Sequence, residues 1–151
     1  MADQLWVVTS GVYAVPTAGL AAVEVATGAG ISNSWAGFDV TFDGVTAAAV
    51  PAQINLMTFT GTGTGTAITF GAAHRANVSV QYNPVSTVKV NMTVIGAGGI
   101  IVASYKCHPQ AGLSYQFPLG REFGMGPSMF KGIQVIAPAA VNCIVNLWFV
   151  E

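Results

Sequence analysis

Polar and apolar residues alternate along much of this chain. In Phe38-Asp39-Val40-Thr41-Phe42-Asp43 the apolar residues share one side and the polar residues the other. Val88-Lys89-Val90-Asn91-Met92-Thr93-Val94 repeats the pattern, and Val78-Ser79-Val80-Gln81-Tyr82 and Ile133-Gln134-Val135 are shorter cases. A period of two marks a strand with one wet face. Two further segments, Gly99 to Tyr105 and Cys143 to Val150, are apolar on both sides. They are expected between sheets or under a neighbouring subunit. Leu5 to Val8, Val12 to Val15, Leu20 to Ala26, Ile54 to Phe59 and Ala67 to Phe70 complete the candidate strands. Helical periodicity is missing, because Gly, Pro and β-branched residues interrupt almost every window of about 11 residues.

Turn signals separate these segments. Asp43-Gly44 is a tight-turn dipeptide. Gly61-Thr62-Gly63-Thr64-Gly65-Thr66 reads as a flexible connection or hairpin tip, and Gly124-Met125-Gly126-Pro127-Ser128 as a loop. About nine to eleven short strands and no helix predict an all-β fold. The expected architecture is one antiparallel β-sandwich of the jelly-roll type over residues 1–151. An immunoglobulin-like sandwich is the runner-up, although that fold needs only about 100 residues.

Composition narrows the function. Hydrophobic residues make up 52% of the 151 positions and charged residues only 7%, where about 25% is usual. Six acids and five bases leave a net charge of −1. Five scattered bases cannot form the cluster that electrostatic nucleic-acid binding needs. Disordered chains are poor in apolar residues, which this one is not. So little charge implies a surface largely covered by other protein. A membrane location is not expected. The longest charge-free stretch, Gly44 to His74, is studded with Thr, Gly, Pro51, Gln53 and Asn55. The most apolar run, Val94 to Ala103, is half the length of a spanning helix. Met-Ala-Asp-Gln at the start carries no sign of a secretory signal.

Reactive constellations are sparse. Asp39 and Asp43 lie four residues apart on one strand, roughly 13 Å, which is too far for a glycosidase pair. His74 and His108 fit no zinc spacing, with or without Cys107, so no metal and no cofactor is expected. Cys107 and Cys143 read as buried free thiols. No Gly-x-Ser-x-Gly and no phosphate-binding Gly-Lys-Ser/Thr occurs, and no enzyme activity is expected. Glu24 stands alone in an apolar strand and reads as an outward side chain at an edge or interface. Trp35, near Asn33 and Asp39, is the only hint of a sugar site, and a core position suits it better. The richest surface candidate is the segment with Tyr115, Phe117, Phe123, Met125, Met129 and Phe130, together with the adjacent charges Arg121 and Glu122. Large apolar groups among glycines and prolines mark either a protein interface or a plug for the end of the barrel.

Three stretches carry a likeness. They are Gly37-Phe38-Asp39-Val40-Thr41-Phe42-Asp43-Gly44-Val45; His108-Pro109-Gln110-Ala111-Gly112-Leu113 with Tyr115-Gln116-Phe117-Pro118-Leu119-Gly120-Arg121-Glu122; and Ile133-Gln134-Val135-Ile136-Ala137-Pro138-Ala139-Ala140-Val141-Asn142 running to Phe149-Val150-Glu151. Together they resemble small virion proteins of tailed bacteriophages with a jelly-roll fold, of the capsid decoration or cement type. The resemblance implies a structural protein on the outer capsid surface, synthesised in the bacterial host cytoplasm. Its implied partners are the major capsid protein and further copies of itself, a homotrimer being placed ahead of a homodimer. It carries over no catalytic residue. The competing expectation is a phage tail or fibre component with a carbohydrate- or receptor-binding β-sandwich.

Overall fold

The computed structural model describes residues 4–15, 19–43, 50–70, 83–138 and 141–151. The segment Val78 to Tyr82, His74, Arg75 and the Gly44 half of the Asp43-Gly44 turn lie outside them. The described residues form twelve strands and no helix: β1 (Leu5–Thr9), β2 (Tyr13–Ala14), β3 (Ala21–Ala26), β4 (Asn33–Asp43), β5 (Ala52–Phe59), β6 (Thr64–Ala67), β7 (Thr87–Val94), β8 (Ile100–Cys107), β9 (Leu113–Gln116), β10 (Phe123–Met125), β11 (Phe130–Ile136) and β12 (Asn142–Val150). They make an all-β antiparallel sandwich. Sheet A runs β1-β12-β4-β10, with β2 against β12 and β9 against β4, and sheet B runs β6-β7-β3-β11-β5-β8. The pairing is nested. Early strands meet late ones: β1 with β12, β3 with β11, β4 with β9 and β10, and β5 with β8.

Alternation decides which side chains enter the core. In β12 Cys143, Val145, Leu147 and Phe149 are buried, and the residues between them are more exposed. Trp6 and Val8 of β1, Trp35, Phe38 and Val40 of β4, Ile54 and Leu56 of β5, and Ile133 and Val135 of β11 meet them between the sheets. Phe70 closes the β1 side, edge-on to Trp6 at 5.6 Å and to Phe149 at 6.0 Å between ring centroids. A side chain buried this way contributes about 1.5–3 kcal/mol.

Strand β4 breaks its own period once. Trp148 lies opposite Gly37 and Phe149 opposite Trp35, so Ala36 is an extra residue. This bulge lets Trp35 and Phe38 both face the core although they are three apart. A Cβ on Gly37 would lie 2.8 Å from the Tyr115 carbonyl oxygen, so the close approach of β9 requires glycine there.

The Gly-Thr run departs from its reading as a flexible connection or hairpin tip. Its second half is strand β6, paired with β7. Strand β7 pairs with β3 only through Thr87–Val90. At Asn91 the backbone turns left-handed (φ 52°), a conformation Asn tolerates better than most residues. The remainder of β7 pairs with β6 alone. The ribbon folds back over the outer face of sheet B, where Glu24 holds it. Val23 and Val25 face the core, so Glu24 between them points outward, yet it is only 4% exposed. Its carboxylate accepts the Gly63 N–H at 2.8 Å and the Gly96 N–H at 2.7 Å. Lys89, its neighbour on β7, donates to the Gly63 carbonyl and to Thr62 Oγ1. Glu24 is thus neither an edge residue nor exposed. It is the tie between a strand and two glycine loops.

Glu24→Ala should remove both acceptors and leave two buried N–H groups unpaired. Urea unfolding is expected to show a loss of about 2–4 kcal/mol, with a smaller loss for Glu24→Gln, which keeps a neutral acceptor. A loss below about 0.5 kcal/mol for the alanine variant would contradict the tie.

Candidate functional site

The aromatic segment is divided by the structure. Tyr115 and Phe117 follow the inward side of β9, and Phe123 and Met125 that of β10, because β4 aligns Phe38 with Tyr115 and Trp35 with Phe123. They form a wall of rings that closes the sandwich towards Tyr105 of β8. Centroids are 5.2 Å apart for Tyr105–Tyr115, 5.0 Å for Tyr115–Phe117, 6.0 Å for the stacked Phe117–Phe123 pair and 5.3 Å for Trp35–Phe123. Burial pushes the Tyr105 hydroxyl pKa up, and the hydrogen bond and charge of Tyr115 add to the shift. Lys131 ends the wall. Its ammonium lies 3.5 Å from the Phe123 ring centroid and donates to the Gly124 carbonyl, and burial lowers its pKa. Both contacts favour the charged form inside the protein. Met125 is fully buried, and Phe130 lies half-buried on β11. Of the eight candidates, only Met129 and Arg121 are exposed.

Arg121 and Glu122 do not pair with each other among the described residues. Glu122 turns its carboxylate back to the Gly120 N–H at 2.9 Å. That bond, followed by the N–H of Glu122 itself, holds its pKa below the usual carboxylate range. The Arg121 N–H donates to the Pro118 carbonyl, and Gly120 has φ 77°. This is a type II turn, and Leu119 at its apex is 97% exposed. Composition alone could not single out Leu119. The Pro-Leu-Gly sequence is the signal that could have done so.

A second apolar surface lies on β8, which is an edge of sheet B. Ile100, Ile101 and Val102 are 65%, 50% and 53% exposed. Val102 is an extra residue in the pairing with β5, so the alternation fails and three consecutive apolar residues face outward. The first charge along the strand is Lys106. Natural edges are commonly blunted by charge or proline, and this stretch carries neither. This segment, expected between sheets or under a neighbouring subunit, instead has its first three residues exposed at the sheet edge. The other two-sided apolar segment, β12, sits inside sheet A between β1 and β4.

The third feature is a cleft of about 260 Å³ on the outer face of sheet A, lined by Leu5, Ala36, Gly37, Ser114, Gln116 and Trp148, among others. It lies beside the bulge at Ala36, where Gly37 places no side chain between Trp148 and Gln116. Trp35, a weak hint of a sugar site in the sequence, takes the core position that suited it better and is fully buried.

Other reactive groups stay apart. No group of three or more His, Cys, Asp or Glu that could hold a metal converges among the described residues. His108 follows the end of β8, its Nδ1 accepting the Gln110 N–H at 3.3 Å. Asp39 accepts from Asn146 Nδ2 at 2.8 Å. Cys107 and Cys143 are free and buried. Burial pushes both thiols up, Cys143 to about 12. No protein-family model, curated protein or solved structure matches the chain.

A raised thiol pKa means less thiolate at any given pH, and the thiolate is the nucleophile. Both cysteines should therefore resist a disulfide reagent at about pH 8 in the folded protein and react fully in denaturant. Rapid labelling of native Cys143 would contradict its placement.

Proposed function

We propose that this protein is a structural virion subunit, a capsid decoration protein that oligomerises through an apolar strip and binds across the major capsid protein. The observation that carries the reading is the row Ile100, Ile101 and Val102, uncharged and exposed on a sheet edge. Leaving such a row in water is unfavourable, and covering it with protein recovers roughly 25 cal/mol per Å² of apolar area. Leu119 on its fixed turn supplies a preorganised anchor, so little freedom is lost on docking. A surface with 7% charge in the chain adds no strong repulsion between copies. The nested strand order also supports a jelly-roll path, in which a long antiparallel ribbon wraps into two sheets. Repetition of modest contacts over a shell lattice then gives avidity.

Light scattering on the purified chain is expected to give a trimer, and sedimentation to show it bound to shells of the source particle in simple ratio to the main shell protein. Ile101→Lys and Leu119→Asp should weaken assembly or shell binding while changing folding stability by less than about 0.5 kcal/mol for Leu119, which is 97% exposed, and by less than about 1.5 kcal/mol for Ile101, which is half exposed. A stable monomer that ignores shells would overturn the proposal.

A further inference from the structure

Trp148 is the one tryptophan of three at the protein surface. Trp6 and Trp35 are buried in the core. The sheet register surrounds Trp148 with a defined set of groups. Across the strands its row reads Val7, Trp148, Gly37, Gln116. The next row, two residues along and roughly 7 Å away, reads Thr9, Asn146, Asp39, Ser114. An aromatic ring thus stands beside a complete row of hydroxyl, amide and carboxylate. Asp39 is oriented by Asn146. Ser114 and Gln116 line the cleft, and neither side chain has a hydrogen-bond partner among the described residues. Ala36 and Gly37 make a floor without bulk.

We infer that this cleft binds a neutral saccharide, with one sugar ring seated beside Trp148. Sugars are amphipathic. One face of the ring presents C–H groups that pack on an indole, and the rim presents hydroxyls that need both donors and acceptors. The cleft offers this combination: an apolar wall, the Ser114 hydroxyl, the Gln116 amide and the Asp39 carboxylate at its border. At about 260 Å³ it is below the range of drug-sized pockets and suits a single ring. The only formal charge in the two rows is negative, which disfavours anionic ligands. A wider depression of about 620 Å³ continues past the shared residues Leu5 and Ala36 towards Ser34 and Glu122. The ligand is therefore an oligosaccharide, with further residues lying along this groove. The cleft beside Trp148 uses the face of sheet A and not the β8 edge, whereas the wider depression shares Leu119 with the proposed docking surface, so Trp148→Ala is the variant that separates sugar binding from shell binding.

The test is titration of the full chain with a panel of neutral hexose, deoxyhexose and N-acetylhexosamine oligosaccharides. The readouts are tryptophan fluorescence and the Trp148 indole N–H resonance. At least one class is expected to bind and shift that resonance, leaving those of Trp6 and Trp35 in place. Trp148→Ala should weaken binding by about tenfold or more, a change of roughly 1.4 kcal/mol. Gln116→Ala and Asp39→Asn should each weaken it several-fold, with the thermal transition unchanged as the control for folding. No binding at millimolar sugar overturns the inference. So does binding that survives in a folded Trp148→Ala variant, or occupation of the cleft by a second copy of the chain instead of sugar.

Discussion

One buried carboxylate holds the outer layer of this sandwich in place. Glu24 sits in the third strand of sheet B and accepts two glycine N–H groups from loops distant in sequence. A carboxylate out of water is costly unless its oxygens are satisfied. Here the loops come to the charge, and each contributes the group that a flexible glycine exposes most readily. The glycines are also the only residues that fit. A Cβ on Gly63 would lie 2.0 Å from the Val94 carbonyl oxygen, and one on Gly96 2.4 Å from that of Gly61. The loop fixed at Gly96 leads directly into Gly99 and the exposed start of β8. Core stability and the position of the apolar strip are therefore linked through a single side chain.

A second polar construction lies on the same face. Asn55 is fully buried, donates to Gln134 at 2.7 Å and accepts from Gln53 and Ser104. Gln134 in turn donates to the Gly19 carbonyl. These neutral amides bind β5, β11 and β8 to the chain before β3. The outer face of sheet B is thus covered and internally bonded. The outer face of sheet A keeps unpaired hydroxyl and amide groups. The two sides of one sandwich have different surface chemistry, and this separates the apolar edge from the polar cleft.

Much of the fold was legible from alternation. β7, the Phe38–Asp43 part of β4 and Ile133–Val135 of β11 follow a period of two, β1 and β12 show as apolar runs, and the absence of helix follows from the scatter of Gly and Pro. β9 and β10 were missed as strands because they are short and lie among Pro and Gly. The Gly-Thr run was misread because glycine marks both flexibility and close packing, and only the neighbouring backbone distinguishes them. Glu24 reads as an edge or interface residue from sequence because its partners are 39 and 72 positions away. Trp35 takes the core position that suits it better, and its hint of a sugar site beside Asp39 falls away for a structural reason. In an unbroken strand Trp35 and Asp39 would share a face, and the extra residue Ala36 puts them on opposite ones. The bulge leaves no mark in the residue pattern here, so the cleft beside it is hidden as well.

The lack of charge around Ile100, Ile101 and Val102 has a consequence for how a contact built on them responds to its surroundings. Ion pairs weaken as salt is added, over a screening length of about 10 Å at 0.1 M. An aliphatic contact has no such term, and excluded salts such as sulfate strengthen it. Its driving force near room temperature is entropic and fades on cooling. An assembly held by this edge would thus tolerate large swings in ionic strength and have its weak point in the cold.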